Sequence, residues 1–124
     1  MVYNRLLALY DANHNRNLEE SLNLAQSELT NRKDIYAYDT AAWALYKNER
    51  YAEALRDMQQ AMKLGTRDAM LYYHAGMIYN GLGNREQAQN MLSEALALNP
   101  HFDFLQARIA RETLADLQAH AMGR

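Results

Sequence analysis

Apolar and small residues recur along the chain with the spacing of one helix face. From Tyr38 they fall at Tyr38, Ala41, Ala42 and Leu45, and from Tyr72 at Tyr72, Ala75, Gly76 and Tyr79. The i, i+3, i+4, i+7 pattern predicts amphipathic helices. No useful stretch alternates with period two, and β-branched residues are scarce, so strands are not expected. Polar breaks at 12–17, 31–34, 47–50, 64–68, 81–84 and 98–103 delimit seven helices of roughly three to four turns. Asn17 with Glu20, and Asn84 with Gln87, have the spacing of helix N-caps with a reciprocal partner. The fold class is all-α.

The middle four helices form two copies of one pattern. Sliding the chain by 34 residues brings Tyr38 onto Tyr72, Ala41 onto Ala75, Ala42 onto Gly76, Ala54 onto Ala88, Met58 onto Leu92, Ala61 onto Ala95 and Leu64 onto Leu98. A helix, turn, helix unit of that period is a solenoid repeat. Residues 69–102 resemble the tetratricopeptide repeat through Tyr72, Ala75, Gly76, Tyr79, Gly83, Ala88, Leu92, Ala95 and Pro100. Residues 35–68 resemble it nearly as well, departing at Glu49, where glycine is usual, and at Thr66, where proline is usual.

The first pair, about 1–33, is divergent. Tyr3, Leu6, Leu7 and Tyr10 repeat the first-helix pattern, and Ser21, Leu22, Ala25 and Leu29 the second, provided the loop between them is about two residues longer. Residues 103–120 continue as one helix with Phe104, Leu105, Ile109, Leu114 and Leu117 as its apolar side, suited to closing the last repeat. The resemblance thus implies a single domain over 1–124. Its fold would be a right-handed superhelix of about three tetratricopeptide-like repeats with a C-terminal capping helix. The wording "YHAGMI" and "ALALNPHFD" is also similar to the C-terminal end of bacterial multi-repeat proteins, which implies a longer parent.

Helical geometry then marks a candidate binding face. At about 100° per residue, Tyr36, Asp39, Trp43, Tyr46 and Lys47 centre roughly 130° from the core stripe of their helix. One repeat later the same face carries Met70, Tyr73, His74, Met77 and Asn80. The resemblance implies that such first-in-pair helices line a concave side where peptide segments bind. Aromatic rings with a polar tip and adaptable methionines suit that use. The other reading of this face is packing against a neighbouring helix or against the C-terminal helix. The clamp that some relatives use for an acidic C-terminus is not expected, because the matching positions hold Asn4, Ala8, Thr40, Met70 and His74.

Charge and composition narrow the classes of function. The 124 residues carry 13 basic and 15 acidic groups, a net charge of −2 and no cysteine. That balance argues against nucleic acid as a partner, and the absence of thiols excludes disulfides and thiolate metal sites. No apolar run is long enough for a signal peptide or membrane span, and the cytoplasm is slightly favoured. The histidines, His14, His74, His101 and His120, lie in separate elements, and none is followed by a second His or a carboxylate three or four residues later. Neither a metal, a cofactor nor an enzymatic activity is therefore expected. "YYHAGMIYNGLGN" is not a phosphate loop, since Gly76 and Gly81 are followed by Leu82 and Gly83 rather than Lys and Ser or Thr. Gly76 instead suits a close helix approach, and Gly81 and Gly83 a helix end. The expected function is a non-catalytic module binding a protein or peptide. The alternative is assembly or self-association through an N-terminal edge bearing Tyr3, Leu6, Leu9 and Tyr10.

Overall fold

The computed structural model describes the backbone of residues 2–122 and the side chains of residues 7–121. Seven α-helices follow one another: α1 (Val2–Asn13), α2 (Leu18–Asn31), α3 (Ile35–Lys47), α4 (Tyr51–Ala61), α5 (Ala69–Gly81), α6 (Arg85–Leu98) and α7 (Phe104–Met122). No strand occurs among the described residues. The chain divides into two compact units, Met1–Gly65 and Thr66–Arg124.

Short side chains set the helix spacing in the first unit. Ala8, Ala12, Ala25, Ala41, Ala42, Ala54 and Ala61 are buried together with Leu22, Leu45 and Met58. Buried Ser21 donates its hydroxyl to the Ala8 carbonyl at 2.6 Å, which fixes α2 on α1 at close range. Asp34 caps α3 by accepting from the Ala37 amide at 2.8 Å. Asn48 ties the following turn to α2, its amide donating to the Leu18 carbonyl at 3.0 Å and to Ala44 at 2.8 Å.

In the second unit α5 and α6 bury Leu71, Ala75, Gly76, Ile78, Ala88, Leu92 and Ala95. A Cβ on Gly76 would lie 2.7 Å from Leu92 Cγ and 3.2 Å from the Leu92 amide nitrogen. Close approach, not flexibility, is therefore the reason for glycine there. Asp68 and Asn84 cap their helices through the Met70 and Gln87 amides at 2.9 and 3.2 Å.

Two expectations are corrected. Asn17 does not cap α2 with its side chain; it takes a left-handed conformation, φ 47°. Its carbonyl accepts from the Ser21 amide instead. A left-handed residue does not have the extended backbone from which a side chain caps the following amides, and Asn15 in the loop before it is left-handed as well. On α7 the buried seam is made by Gln106, Ala107, Ala110 and Leu117, whereas Phe104 is 93% exposed. Small residues let α7 approach α6 closely, and the large apolar residues at its start fall outside that seam. As the break at 64–68 implies, Leu64 lies beyond α4, which stops at Ala61, and it is 80% exposed. The matched Leu98 still belongs to α6, which ends just before Pro100.

Candidate protein-binding site

The second face of α3 is an aromatic column. Trp43 is buried, and its indole Nε1 donates to Asn13 Oδ1 at 2.7 Å, which anchors the ring to the end of α1. Tyr46 stacks on it, with centroids 4.7 Å apart and planes at 13°. Tyr51 lies against Tyr46 at 5.6 Å. The Lys47 ammonium stands 5.5 Å from the Trp43 ring centroid, within reach of its negative face. Burial raises the pKa of the Tyr46 phenol, with Tyr51 adding to the effect. Burial lowers that of Lys47. Asp39 is buried on the same helix, while Tyr36, one turn nearer the start, is 46% exposed.

The second face of α5 is covered from within its own unit. The Tyr73 hydroxyl donates to Gln106 of α7 at 2.5 Å, and its ring meets Phe102 at 5.3 Å and His74 at 5.5 Å. Tyr73, His74 and Met77 are buried, and Met70 and Asn80 are half-buried.

Each expected contact residue thus has a place. Asp39, Trp43, Tyr73, His74 and Met77 face protein, and Tyr46, Lys47, Met70 and Asn80 are partly accessible. Tyr36 alone is open. Of the two readings of this face, packing describes the five buried side chains, since Asn13 and Gln106 reach in from outside the helix pairs.

Beside Tyr36 lies a feature that sequence reasoning missed. A cavity of about 660 Å³ is lined by Ile35, Tyr36, Tyr38 and Leu64, with Lys33 and Lys63 also at its wall. Asp34 lines it too, its carboxylate held by the Ala37 amide and by Arg32 at 3.4 Å. The 34-residue offset pairs Leu64 with Leu98 without saying which way either side chain faces, and α4 ends before Leu64. Thr66, where proline is usual, is the departure from the repeat pattern nearest this helix end.

An all-helical chain whose helix pairs recur at 34 residues is a helical repeat protein. Residues 69–102 match the family model of the tetratricopeptide repeat. Those residues are accordingly a tetratricopeptide repeat, and that repeat suggests a role in protein interaction or as a scaffold. No curated protein matches the chain. Among the described residues no three His, Cys, Asp or Glu side chains gather to hold a metal ion. No helix among them is long and apolar enough to cross a membrane.

Proposed function

We propose that this protein is a non-catalytic interaction module that binds a peptide or protein segment on the second faces of its first-in-pair helices. Tyr36, Tyr46 and Lys47 of α3, and Met70 and Asn80 of α5, are the contact groups. Asp39, Trp43, Tyr73, His74 and Met77 support them from behind, holding each helix to its own unit. The observation that carries this reading is the cavity of about 660 Å³ beside Tyr36. An apolar side chain of a ligand fits against Tyr36 and Leu64 there, because burial of an aromatic anchor in a preformed pocket is where interfaces gain most of their energy.

Selection from a random peptide display library tests it. Enriched peptides should share an apolar or aromatic anchor, and the Tyr36→Ala, Leu64→Ser double variant should weaken them about tenfold or more. Both side chains are exposed, so melting should not change. Peptides that bind the double variant as tightly as the wild type would place the ligand elsewhere.

Self-association through the N-terminal edge is a second reading, favoured by one residue. Tyr10 is 50% exposed and stacks on His14 with centroids 4.1 Å apart, presenting a rigid apolar surface. Leu9 is half-buried, and the Tyr3 and Leu6 side chains lie outside the described residues. A sedimentation series in which Tyr10→Glu dissociates the wild-type species would support this reading, and a wild type that stays monomeric would exclude it.

A further inference from the structure

A second cavity, of about 370 Å³, opens at the start of α7 and shares no residue with the one beside Tyr36. His101, Asp103, Phe104, Ala107, Arg108 and Arg111 line it. Two of its features have no structural use. Phe104 is 93% exposed at the rim, burying almost nothing in this chain. Arg108, one turn further on, makes no ion pair or hydrogen bond with any described residue.

The charge of the lining is one-sided. Asp103 is committed, its Oδ2 accepting from the Gln106 amide at 2.8 Å as the cap of α7. Arg111, in the lining, donates through Nη1 to the Pro100 carbonyl at 3.0 Å, which leaves the other guanidinium donors available. One carboxylate thus faces two guanidinium groups and an imidazole, in a chain whose net charge is −2. Arginines three residues apart on a helix present their forks side by side, and a fork matches a carboxylate with two parallel hydrogen bonds.

We propose that this cavity docks an acidic peptide segment of a partner protein, with carboxylates on Arg108 and Arg111 and an apolar side chain on Phe104. An anionic membrane fits less well. The same helix exposes Glu112 and Asp116 outside the lining of the cavity, so a segment seated in the recess meets the arginines, whereas an extended anionic surface would meet these carboxylates as well. A recess also offers a single chain more contact than it offers a flat surface.

Fluorescence anisotropy with a labelled glutamate-rich peptide carrying a central phenylalanine tests the proposal, using an otherwise identical glutamine-rich peptide as control. The glutamate peptide should bind saturably and weaken with salt, and the control should bind about tenfold or more weaker. Arg108→Glu and Phe104→Ser should each reduce affinity by about the same factor. Both residues are exposed, so circular dichroism and melting should remain those of the wild type. Tyr36→Ala should leave this affinity unchanged, which separates the site from the α3 cavity. Four results would overturn the assignment: no saturable binding, equal binding of the control peptide, affinity unchanged in Arg108→Glu, or an effect of that variant on self-association alone. Stronger capture by phosphatidylserine vesicles than by the peptide would assign the face to membranes instead.

Discussion

The α3–α4 pair of the first unit and the α5–α6 pair of the second repeat one geometry with different residues. In both turns a left-handed residue sits two positions after the helix: Glu49 at φ 63° and Gly83 at φ 81°. The hydrogen bonds correspond, Arg50 N–H to Leu45 O and Asn84 N–H to Tyr79 O, each at 2.9 Å. Within the pairs, Ala42 and Met58 of one occupy the positions of Gly76 and Leu92 in the other. The difference teaches that the backbone is set by the repeat as a whole. Individual positions then adapt locally, with a branched leucine matched by glycine and an unbranched methionine leaving space for alanine.

Substitutions on the second faces should break the comparison most strongly. Trp43 and Met77 are equivalent and both buried, but only Trp43 fixes a polar group from another helix. Trp43→Ala should cost about 3–5 kcal/mol, because it opens a large cavity and removes the donor from Asn13. Met77→Ala should cost about 2–3 kcal/mol. Urea unfolding followed by circular dichroism measures both. Equal losses would mean that the Asn13 contact adds nothing.

The helix crossing gives a smaller effect that can be reversed. Gly76→Ala places a methyl 2.7 Å from Leu92 Cγ, and should cost about 1–3 kcal/mol despite the better helix propensity of alanine. Adding Leu92→Met, the residue of the first unit, should recover most of the loss because an unbranched side chain can move aside. If the double variant is no more stable than the single one, the two pairs do not adapt as described. The turn comparison predicts a gain. Glu49 is exposed and left-handed, so Glu49→Gly should stabilise by roughly 0.5–1 kcal/mol through relief of the Cβ clash. Gly83→Ala should lose a similar amount, and thermal melts of the two variants should shift in opposite directions.

Most of the fold was legible because it is local. The helix face pattern, the polar breaks and the 34-residue offset each depend on residues within a turn or a repeat. Asn84 and Gly76 were read correctly for the same reason. Asn17 failed because a cap depends on the conformation of the loop that leads into it, and both Asn15 in that loop and Asn17 itself are left-handed. The candidate face was less legible. Helical angles locate a face without saying what lies opposite, and the groups that cover it, Asn13 for Trp43 and Gln106 for Tyr73, are 30 and 33 residues away. On α7 the sequence weighted Phe104 and Leu105 by hydrophobicity, whereas Ala107 and Ala110 make the contact by being small.

The smallest difference between the pairs lies at Asp57, whose equivalent is Met91; both are half-buried. Burial raises the Asp57 pKa, Arg56 opposes the shift, and Glu53 adds to it. A carboxyl whose pKa is higher in the folded chain favours folding while protonated. That contribution is full below the unfolded value near 4 and disappears as pH rises through the folded value. At pH 7 the ionised group is therefore a net cost that Met91 does not carry. Asp57→Asn should stabilise at pH 7, and its advantage should shrink as pH falls toward 3, where the wild-type carboxyl is neutral as well. Urea titrations of wild type and variant at both pH values measure the crossover. An advantage independent of pH would trace it to helix propensity or packing rather than to charge.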